Sequence, residues 1–452
     1  MRKLHLKGIL SGLAILLLFF GCSEQDNPNY RAAFQSPRYL HQSMNQLTDV
    51  IIHDIFSPPV ASRIYAYPSI AAFEALASGH ENYRSLVGQL NEMEAMPSLN
   101  PEEEYLHELA ALEAFLQVGQ ALVFSEEKME AYKTALYAEI DAIGIPQAVY
   151  DRSIAYGGEV AQAIIKWSGS DNYKETRSDP AYTFDEDQHT WKPTPPAYMQ
   201  GIEPSWNRIR TFVLDSAQQF VPAPPTAFSL DKNSQFYEEL IEVYDAVNNL
   251  DEERTEIASF WDCNPYVLEQ KGHGMFAKKK ITPGGHWMGI AGLASRKANA
   301  DWMESAEAYA ITSIALADGF ISCWDEKWRS VLIRPETLIN EYLDPDWEPL
   351  LQTPPFPEHT SGHSVISTAA ATALTELYGD QFAFADSTEV NYGLPVRSYT
   401  SFMEASQEAA ISRLYGGIHY MPAITEGVKQ GAQVGEWVLN NIEIRQQIGQ
   451  NE

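Results

Sequence analysis

Cysteine is scarce in this chain of 452 residues, which contains only Cys22, Cys263 and Cys323. Three cysteines cannot form the framework of bridges that stabilises a small secreted domain. Cys263 and Cys323 could form one disulfide bond, or each could pack as a small apolar side chain, and the sequence leaves both alternatives open. The fold must therefore depend on an ordinary apolar core, for which a hydrophobic content of 45% is sufficient.

Positive charge is also in short supply, because 31 Lys and Arg residues stand against 61 Asp and Glu residues, a net charge of -30. Such a surface repels nucleic acids and anionic membranes, so we expect neither as a partner. Any binding site for an anion must then be a local cluster of cations, built against the field of the remaining charges.

Long apolar runs are absent except at residues 9–20, which follow a basic stretch and are short for a membrane span. The run ends just before Cys22, as in lipoprotein signals. We therefore predict removal of residues 1–21, a lipid on the Cys22 sulfur and a polar tether at residues 22–34. An ordinary signal peptide and a retained anchor are the alternatives. The expected product is an exported, periplasmic or cell-surface lipoprotein of a bacterial envelope, which touches the membrane only through its lipid.

Strand patterns are few, and helical periodicity dominates, which predicts an all-α fold. Helices are expected at residues 39–56, 62–77, 102–123, 126–143, 148–167, 235–248, 251–261, 286–317, 321–333, 363–378, 403–416 and 424–444. We divide the chain into an N-terminal helical region at 35–169, a proline-rich ordered connection at 170–231 and a helical core at 232–452. Residues 263–285 are interpreted as a loop.

The first segment with chemical potential is KWRSVLIRP at residues 327–335. Lys327 and Arg334 are seven residues apart, so two helical turns would return them to one face. Pro335 disfavours helix at Arg334, which places the guanidinium at the predicted helix exit, free to turn toward a pocket. Two cations on one face are, by themselves, more typical of a solvated helix edge.

The second segment is FPEHTSGHSVIS at residues 356–367. Ser361 is an N-cap residue type, and an apolar helical run follows His363. Ser361 and Gly362 are therefore expected at a helix N-terminus, where unpaired N–H groups and the helix dipole favour an anion. His363 could exchange a proton with that anion. An ordinary capped helix with an exposed histidine is the alternative.

The third segment is SRLYGGIHY at residues 412–420. Arg413 offers a planar guanidinium for oxyanions. His419 follows the pair Gly416-Gly417, which can interrupt the helix and redirect the imidazole. A neutral imidazole there could be a metal ligand or a nucleophile. A packed, purely structural histidine is the alternative for this segment taken alone.

The order of these three segments resembles the signature of vanadium-dependent haloperoxidases, and of the phosphatidic-acid-phosphatase-type acid phosphatases that share their fold. The resemblance is firm over residues 320–420. It extends more loosely to residues 204–206, 260–261 and 283–287, which are similar to the bacterial, iodoperoxidase-like branch. It implies an all-α helical bundle of the haloperoxidase and acid phosphatase type, with long proline-rich connections.

The resemblance also implies an orthovanadate cofactor held by one histidine and a cage of donors. His419 matches the axial ligand, and His363 matches the acid–base residue beside the apical oxygen. The residues that match the cage are Lys327, Arg334, Ser361, Gly362 and Arg413. Vanadium(V) would act as a Lewis acid without redox change, and Lys327 would polarise hydrogen peroxide, so that a halide becomes hypohalous acid or an equivalent.

The implied halide pocket contains Trp324, Phe356, His359 and Tyr266. Asp262 either lines this pocket or orients Arg334, with loop packing as the alternative for Tyr266 and Asp262. On a lipoprotein-like chain of this size, the arrangement is similar to bacterial iodoperoxidases. We therefore expect iodide as the halide, with bromide as the alternative, hydrogen peroxide as the oxidant and a small organic molecule as a further acceptor.

One departure concerns the residue four positions after His419, which is acidic in many phosphatase-type members and is Ala423 here. Glu426 lies at a different position, and a backbone carbonyl could orient His419 instead. The departure disfavours the alternative function, an acid phosphatase with His419 as nucleophile. A non-catalytic cell-surface binding protein is the second alternative.

Overall fold

The computed structural model describes residues 27–185, 187–271, 274–277 and 279–446. The predicted signal peptide and Cys22 lie outside these residues, as does the first part of the tether. Within these residues, no helix has both the length and the apolar character needed to cross a membrane.

The described residues are mostly helical, which confirms the predicted fold class. The first six helices are α1 (Arg38–Asp54), α2 (Pro58–Ala77), α3 (His107–Leu122), α4 (Glu126–Asp141), α5 (Gln147–Ser168) and α6 (Tyr173–Thr176). The other eight are α7 (Gln235–Asn248), α8 (Glu252–Phe260), α9 (Pro283–Ala298), α10 (Trp302–Ser330), α11 (Pro335–Tyr342), α12 (Gly362–Tyr378), α13 (Phe402–Tyr415) and α14 (Met421–Asn441). Two antiparallel hairpins pair β1 (Leu268–Lys271) with β2 (Gly274–Ala277) and β3 (Phe384–Asp386) with β4 (Arg397–Tyr399).

Two sequence-based boundaries were wrong. The helices expected at 286–317 and 321–333 are α9 and the uninterrupted helix α10, because Asn299 ends α9 in a left-handed conformation (φ 54°). A reciprocal capping box between Asp301 and Glu304 then starts α10. The segment expected to be a loop at 263–285 contains the hairpin of β1 and β2.

Helix α10 is the central element of the fold, packed against α2, α9, α12 and α14. Helix α14 also lies very close to α12, which glycine makes possible. A Cβ atom on Gly431 would lie 2.1 Å from the carbonyl oxygen of Val365, so any larger residue would force the two helices apart. This approach brings the start of α14 to the start of α12, where the Ser361 N–H donates to the Ala423 carbonyl at 3.0 Å.

One continuous cluster of buried apolar side chains runs through the N-terminal and the C-terminal helices. It includes Leu47 and Phe115 from the first half of the chain and Ile314 and Val434 from the second, all 0% exposed. The helices that carry the three motifs are therefore supported by a core to which both halves contribute.

Two tryptophans of the proline-rich connection are buried. Trp191 and Trp206 are each 1% exposed, although Tyr198 is 64% exposed and does not pack as expected. The carboxylate of Asp318, buried in the middle of α10, accepts three backbone N–H groups of the connection at 2.7, 2.8 and 3.1 Å. These donors belong to residues 212–214, so one side chain fixes the connection to the helix that carries Lys327.

Replacing Asp318 should therefore destabilise the fold. In Asp318→Asn the side-chain NH2 group faces backbone N–H groups and cannot accept hydrogen bonds from them, as the carboxylate does. Because the site is buried, water cannot replace the lost hydrogen bonds. We expect the free energy of unfolding to fall by about 2–4 kcal/mol, measured by urea denaturation. Asp380→Asn, at an exposed position, is the control and should change it by less than about 0.5 kcal/mol. Equal midpoints for both variants would contradict this role of Asp318.

Candidate active site

Lys327 and Arg334 are both 0% exposed, but the helix does not connect them as predicted. Helix α10 ends at Ser330, where Val331 takes a left-handed conformation (φ 47°) and turns the chain. Arg334 is extended (φ -77°, ψ 150°) and immediately precedes α11, whose first residue is Pro335. Arg334 thus lies at a helix entrance and not at a helix exit, and the turn, not helical periodicity, brings the two cations together.

Ser361 and Gly362 form the start of a helix, as predicted. Ser361 is the N-cap of α12, and its hydroxyl oxygen accepts the Ser364 N–H at 3.3 Å. The first N–H groups of a helix have no acceptor within the helix, so those of Gly362 and His363 are available to an anion.

Arg413 and His419 flank the predicted glycine interruption. Arg413 is in the last turn of α13, which ends at Tyr415, and Gly417 has a positive φ of 77° that favours glycine. His419 follows in the short connection to α14 and is 2% exposed. The interruption directs both side chains into the same cavity, which Gly362 and His363 also line.

A carboxylate that sequence reasoning missed orients His419. The Nδ1–H of His419 donates to Oε1 of Glu358 at 2.7 Å, and this oxygen also accepts the Tyr420 N–H at 2.9 Å. The proton on Nδ1 leaves the lone pair on Nε2, to which Nη1 of Arg334 donates at 3.1 Å. The sequence offered a backbone carbonyl as the group that could orient His419, but the partner is the carboxylate of Glu358, 61 residues earlier in the chain.

Glu426, the other acid considered, is directed elsewhere. Its carboxylate accepts from Lys429 at 2.6 Å and from the Ala223 N–H at 3.2 Å. The only sequence sign of the true partner was an acid, Glu358, in the rigid proline-flanked approach to Ser361.

The cavity concentrates positive charge without enough anions to balance it. Burial, followed by the nearby Arg334, lowers the pKa of Lys327 to about 7, and burial lowers the pKa of Arg334 to about 10. Burial and then Arg334 also hold the pKa of His419 well below its usual range, so its ring is neutral and able to be a ligand. Burial raises the pKa of Glu358 to about 7, which the neighbouring cations oppose.

Two buried nitrogen atoms indicate the kind of ligand that this site fits. His363 lines the cavity, whereas Lys327, Arg334 and Ser361 are buried beside it and are not among its lining residues. Nη2 of Arg334 and Nε2 of His363 are buried without a hydrogen-bond partner among the described residues. Lys327 donates to the carbonyls of residues 357 and 358 at 2.9 and 3.0 Å, which leaves its third N–H for another acceptor. A buried, unsatisfied donor such as Nη2 of Arg334 is costly, and an oxyanion of phosphate shape would satisfy it with a charge-assisted bond. A protonated oxygen of the same anion would donate to Nε2 of His363.

The residues expected to form a halide pocket divide into two groups. Trp324 and Phe356 line the cavity, with ring centroids 4.9 Å apart. His359 does not line it, because its Nε2 donates to the Ala223 carbonyl at 3.0 Å. Tyr266 is also absent from the lining and contacts it indirectly, through Gln352, whose amide donates to the Tyr266 carbonyl at 2.9 Å.

Asp262 lines the cavity, but it does not orient Arg334 as one interpretation predicted. Its carboxylate forms an ion pair with Lys280. Its negative charge also acts to raise the pKa of Arg413, which burial lowers. Cys263, the next residue, also lines the cavity, and both Cys263 and Cys323 are buried free thiols. The alternative of a disulfide between them is therefore excluded.

Comparison with known proteins gives a consistent result. A family model for the VCPO second helical-bundle domain matches residues 307–447, the part of the chain that carries all three motifs. The crystal structure of a bacterial vanadium-dependent iodoperoxidase is 51% identical, covers 94% of this chain and 100% of its own, and superposes with a TM-score of 0.88. The chain belongs to the vanadium-dependent haloperoxidase family.

More distant members of the family share the fold. A holo-type bacterial vanadium-dependent chloroperoxidase is 18% identical, covers 86% of this chain and 93% of its own, and has a TM-score of 0.64. No curated protein matches. The protein is thus a haloperoxidase enzyme with a vanadate cofactor, and its substrates are hydrogen peroxide and a halide. This result sets aside the alternative of a non-catalytic binding protein.

Glu358 should control the affinity of this haloperoxidase for vanadate. In Glu358→Gln the neutral amide no longer favours the proton on Nδ1 of His419, so Nε2 becomes a poorer ligand. We expect vanadate affinity, measured by titrating the metal-free enzyme, to fall about 10- to 100-fold. The matched control is Glu426→Gln, which should bind vanadate like the unaltered chain. An unchanged affinity in Glu358→Gln would show that His419 is oriented by another group.

The low pKa of Lys327 predicts a pH dependence. The ammonium is charged below about pH 7 and neutral above it, and only the charged form attracts an oxyanion, so vanadate affinity should weaken as the pH rises above 7. The loss approaches about tenfold per pH unit. In Lys327→Arg the cation persists, and the slope of affinity against pH should be flatter. The protonation of vanadate also changes with pH, but it affects both proteins equally. Identical slopes of affinity against pH for the two proteins would therefore contradict a role for the Lys327 proton.

Proposed function

We propose that this haloperoxidase oxidises iodide with hydrogen peroxide. The observation that carries the proposal is the 51% identity to a bacterial vanadium-dependent iodoperoxidase over 94% of the chain. Iodide is the halide that is easiest to oxidise. The product would be hypoiodous acid or an equivalent, which can then react with a small organic acceptor.

The aromatic wall of the cavity supports iodide. Phe356 lies close to two cations, with its ring centroid 5.0 Å from Nζ of Lys327 and 5.1 Å from Cζ of Arg334. The Trp324 ring packs against the phenyl ring, with centroids 4.9 Å apart. An anion that binds against this aromatic wall loses its hydration water. The free-energy cost of that desolvation is smallest for the largest ion of a given charge. The positive potential of the two cations then favours its approach.

Vanadate, when bound, supplies a Lewis acid that activates hydrogen peroxide without a change of oxidation state. We propose that Nε2 of His419 is its ligand, oriented by Glu358 through Nδ1. The residues proposed to hold its oxygens are Lys327, Arg334 and Arg413 through their cations, Ser361 through its hydroxyl and Gly362 through its N–H. The buried Nη2 donor of Arg334, which has no partner among the described residues, supports this assignment.

His363 is proposed to exchange the proton of hydrogen peroxide. Burial, followed by the charge of Arg413, lowers its pKa well below the usual range, so the ring is neutral and can accept a proton at Nε2. The Trp261 backbone is within hydrogen-bonding reach of the same imidazole. Lys327, in contact with the aromatic wall, is proposed to polarise the peroxide by its remaining N–H.

A second activity is favoured by one specific contact. The Glu358–His419 pair is the carboxylate–imidazole arrangement that a histidine nucleophile requires, so phosphatase chemistry is available to the vanadate-free protein. The departure at Ala423 no longer argues against it.

The decisive assay measures triiodide formation from iodide and hydrogen peroxide by enzyme reconstituted with vanadate. We expect activity only after reconstitution, and a larger kcat/KM for iodide than for bromide. In His363→Ala, kcat should fall by about 10²- to 10⁴-fold while vanadate still binds. His189→Ala, an exposed histidine paired with Asp187, is the matched control and should keep full activity.

A larger kcat/KM for bromide would overturn the preference for iodide, and wild-type activity in His363→Ala would remove its proposed role. Hydrolysis of p-nitrophenyl phosphate by the vanadate-free protein, inhibited by added vanadate, would establish the second activity.

A further inference from the structure

Behind one wall of the active site, three side chains of different chemical types point at a common centre. Cys263, His286 and Glu389 are all buried, and their potential ligand atoms lie within 4.8 Å of one another. The Cys263 sulfur is 3.4 Å from Nδ1 of His286 and 3.8 Å from Oε1 of Glu389, and Nδ1 is 3.1 Å from the same Oε1. The three residues come from separate parts of the chain, so the fold assembles this triangle.

The triangle has the dimensions of one face of a tetrahedral metal site. Zinc binds thiolate sulfur at about 2.3 Å and imidazole nitrogen or carboxylate oxygen at about 2.0–2.2 Å, so neighbouring ligand atoms are separated by about 3.3–3.7 Å. The three observed separations bracket that range. Thiolate, imidazole and carboxylate are also the three ligand types that zinc takes from proteins.

A fourth residue orients the imidazole as the second shell of a metal site does. Oδ2 of Asp386, which is 0% exposed, accepts Nε2–H of His286 at 2.8 Å. With the proton on Nε2, the lone pair of Nδ1 points at the sulfur of Cys263 and the carboxylate of Glu389. Three electron-rich atoms then face one another in a buried space, and this arrangement requires a positive charge among them.

We propose that Cys263, His286 and Glu389 bind a divalent transition-metal ion of the Zn²⁺ type, with Asp386 holding the imidazole, at a site separate from the vanadate cage. The ion would keep one position for a water molecule, because three protein ligands occupy three corners of a tetrahedron. The site stands whether or not the cage binds vanadate, since the two share none of their ligands.

A proton is the rival occupant. Burial acts to lower the pKa of His286. The Asp386 carboxylate and the Cys263 side chain nevertheless hold that pKa well above its usual range. An imidazolium with a neutral thiol gives the four groups a net charge of minus one. A divalent ion with a neutral imidazole and a thiolate gives the same charge, so metal binding releases two protons, one from the thiol and one from the ring.

The ion would strengthen one wall of the active site. The Trp261 ring stacks on the His286 ring, with centroids 4.5 Å apart and an angle of 16° between the planes. The Trp261 carbonyl accepts a hydrogen bond from Nη2 of Arg413 at 2.7 Å. A fixed His286 thus supports the segment that positions a cation of the vanadate cage.

The test uses Co²⁺, whose bond to a thiolate produces an intense charge-transfer band in the near ultraviolet. The full protein is dialysed against chelator without vanadate and then titrated with CoCl2, and Zn²⁺ content is measured by mass spectrometry after exposure to ZnCl2. We expect one equivalent of either metal, with the cobalt band. Cys263→Ser should lose the band, whereas Cys323→Ser, which removes the other buried thiol, should keep it.

Two further variants guard against a folding defect in Cys263→Ser. Glu389→Gln and Asp386→Asn retain the thiol, and each should weaken Co²⁺ affinity about 10- to 100-fold while circular dichroism shows a normal helix content. Absence of stoichiometric metal in the unaltered protein, or a cobalt band of equal intensity in Cys263→Ser, would overturn the proposal and leave the proton as the occupant. Neither result bears on iodide oxidation, which is measured with vanadate alone.

Discussion

This structure depends on the attraction between buried cations and the groups that balance their charge. These groups surround the neutral imidazole of His419. Lys327, Arg334 and Arg413 are at most 2% exposed in a chain whose net charge is -30. Removing three cations from water is costly, and backbone carbonyls together with Glu358 offset only part of that cost. The remaining imbalance makes the cavity a strong site for an oxyanion, and together with burial, which is the larger cause, it keeps His419 neutral.

The rest of the fold serves to hold these charges in place. Helix α10 delivers Lys327, and Asp318 in the same helix fixes the long connection through three backbone bonds. Glycine on α14 allows this helix to approach α12, so that the entry to α14, with His419, adjoins the Ser361 helix start. A rigid frame of this kind costs no reorganisation when the anion binds, and such preorganisation is the largest contribution that a protein makes to catalysis of this type.

Carboxylate–imidazole pairing recurs on both sides of one cavity wall. Glu358 fixes the proton of His419, and Asp386 fixes that of His286, each through the ring nitrogen that faces away from the expected ligand. The pairing leaves a lone pair on Nε2 of His419 that faces inward, and a metal that displaced the proton from Nδ1 of His286 would meet a lone pair there too. Trp261 connects the two sites, because its ring stacks on His286 and its carbonyl accepts a hydrogen bond from Arg413.

The helical fold class, the Ser361 helix start and the interruption before His419 could be predicted from local sequence, because capping, periodicity and glycine act over a few neighbouring residues. The three motifs were also sufficient to indicate the haloperoxidase family. Other features became visible only in the folded protein: Arg334 enters α11, Glu358 serves His419, and His359 and Tyr266 do not line the cavity. Those outcomes depend on contacts between residues distant in the chain, and such contacts follow from how helices pack, which no local pattern specifies.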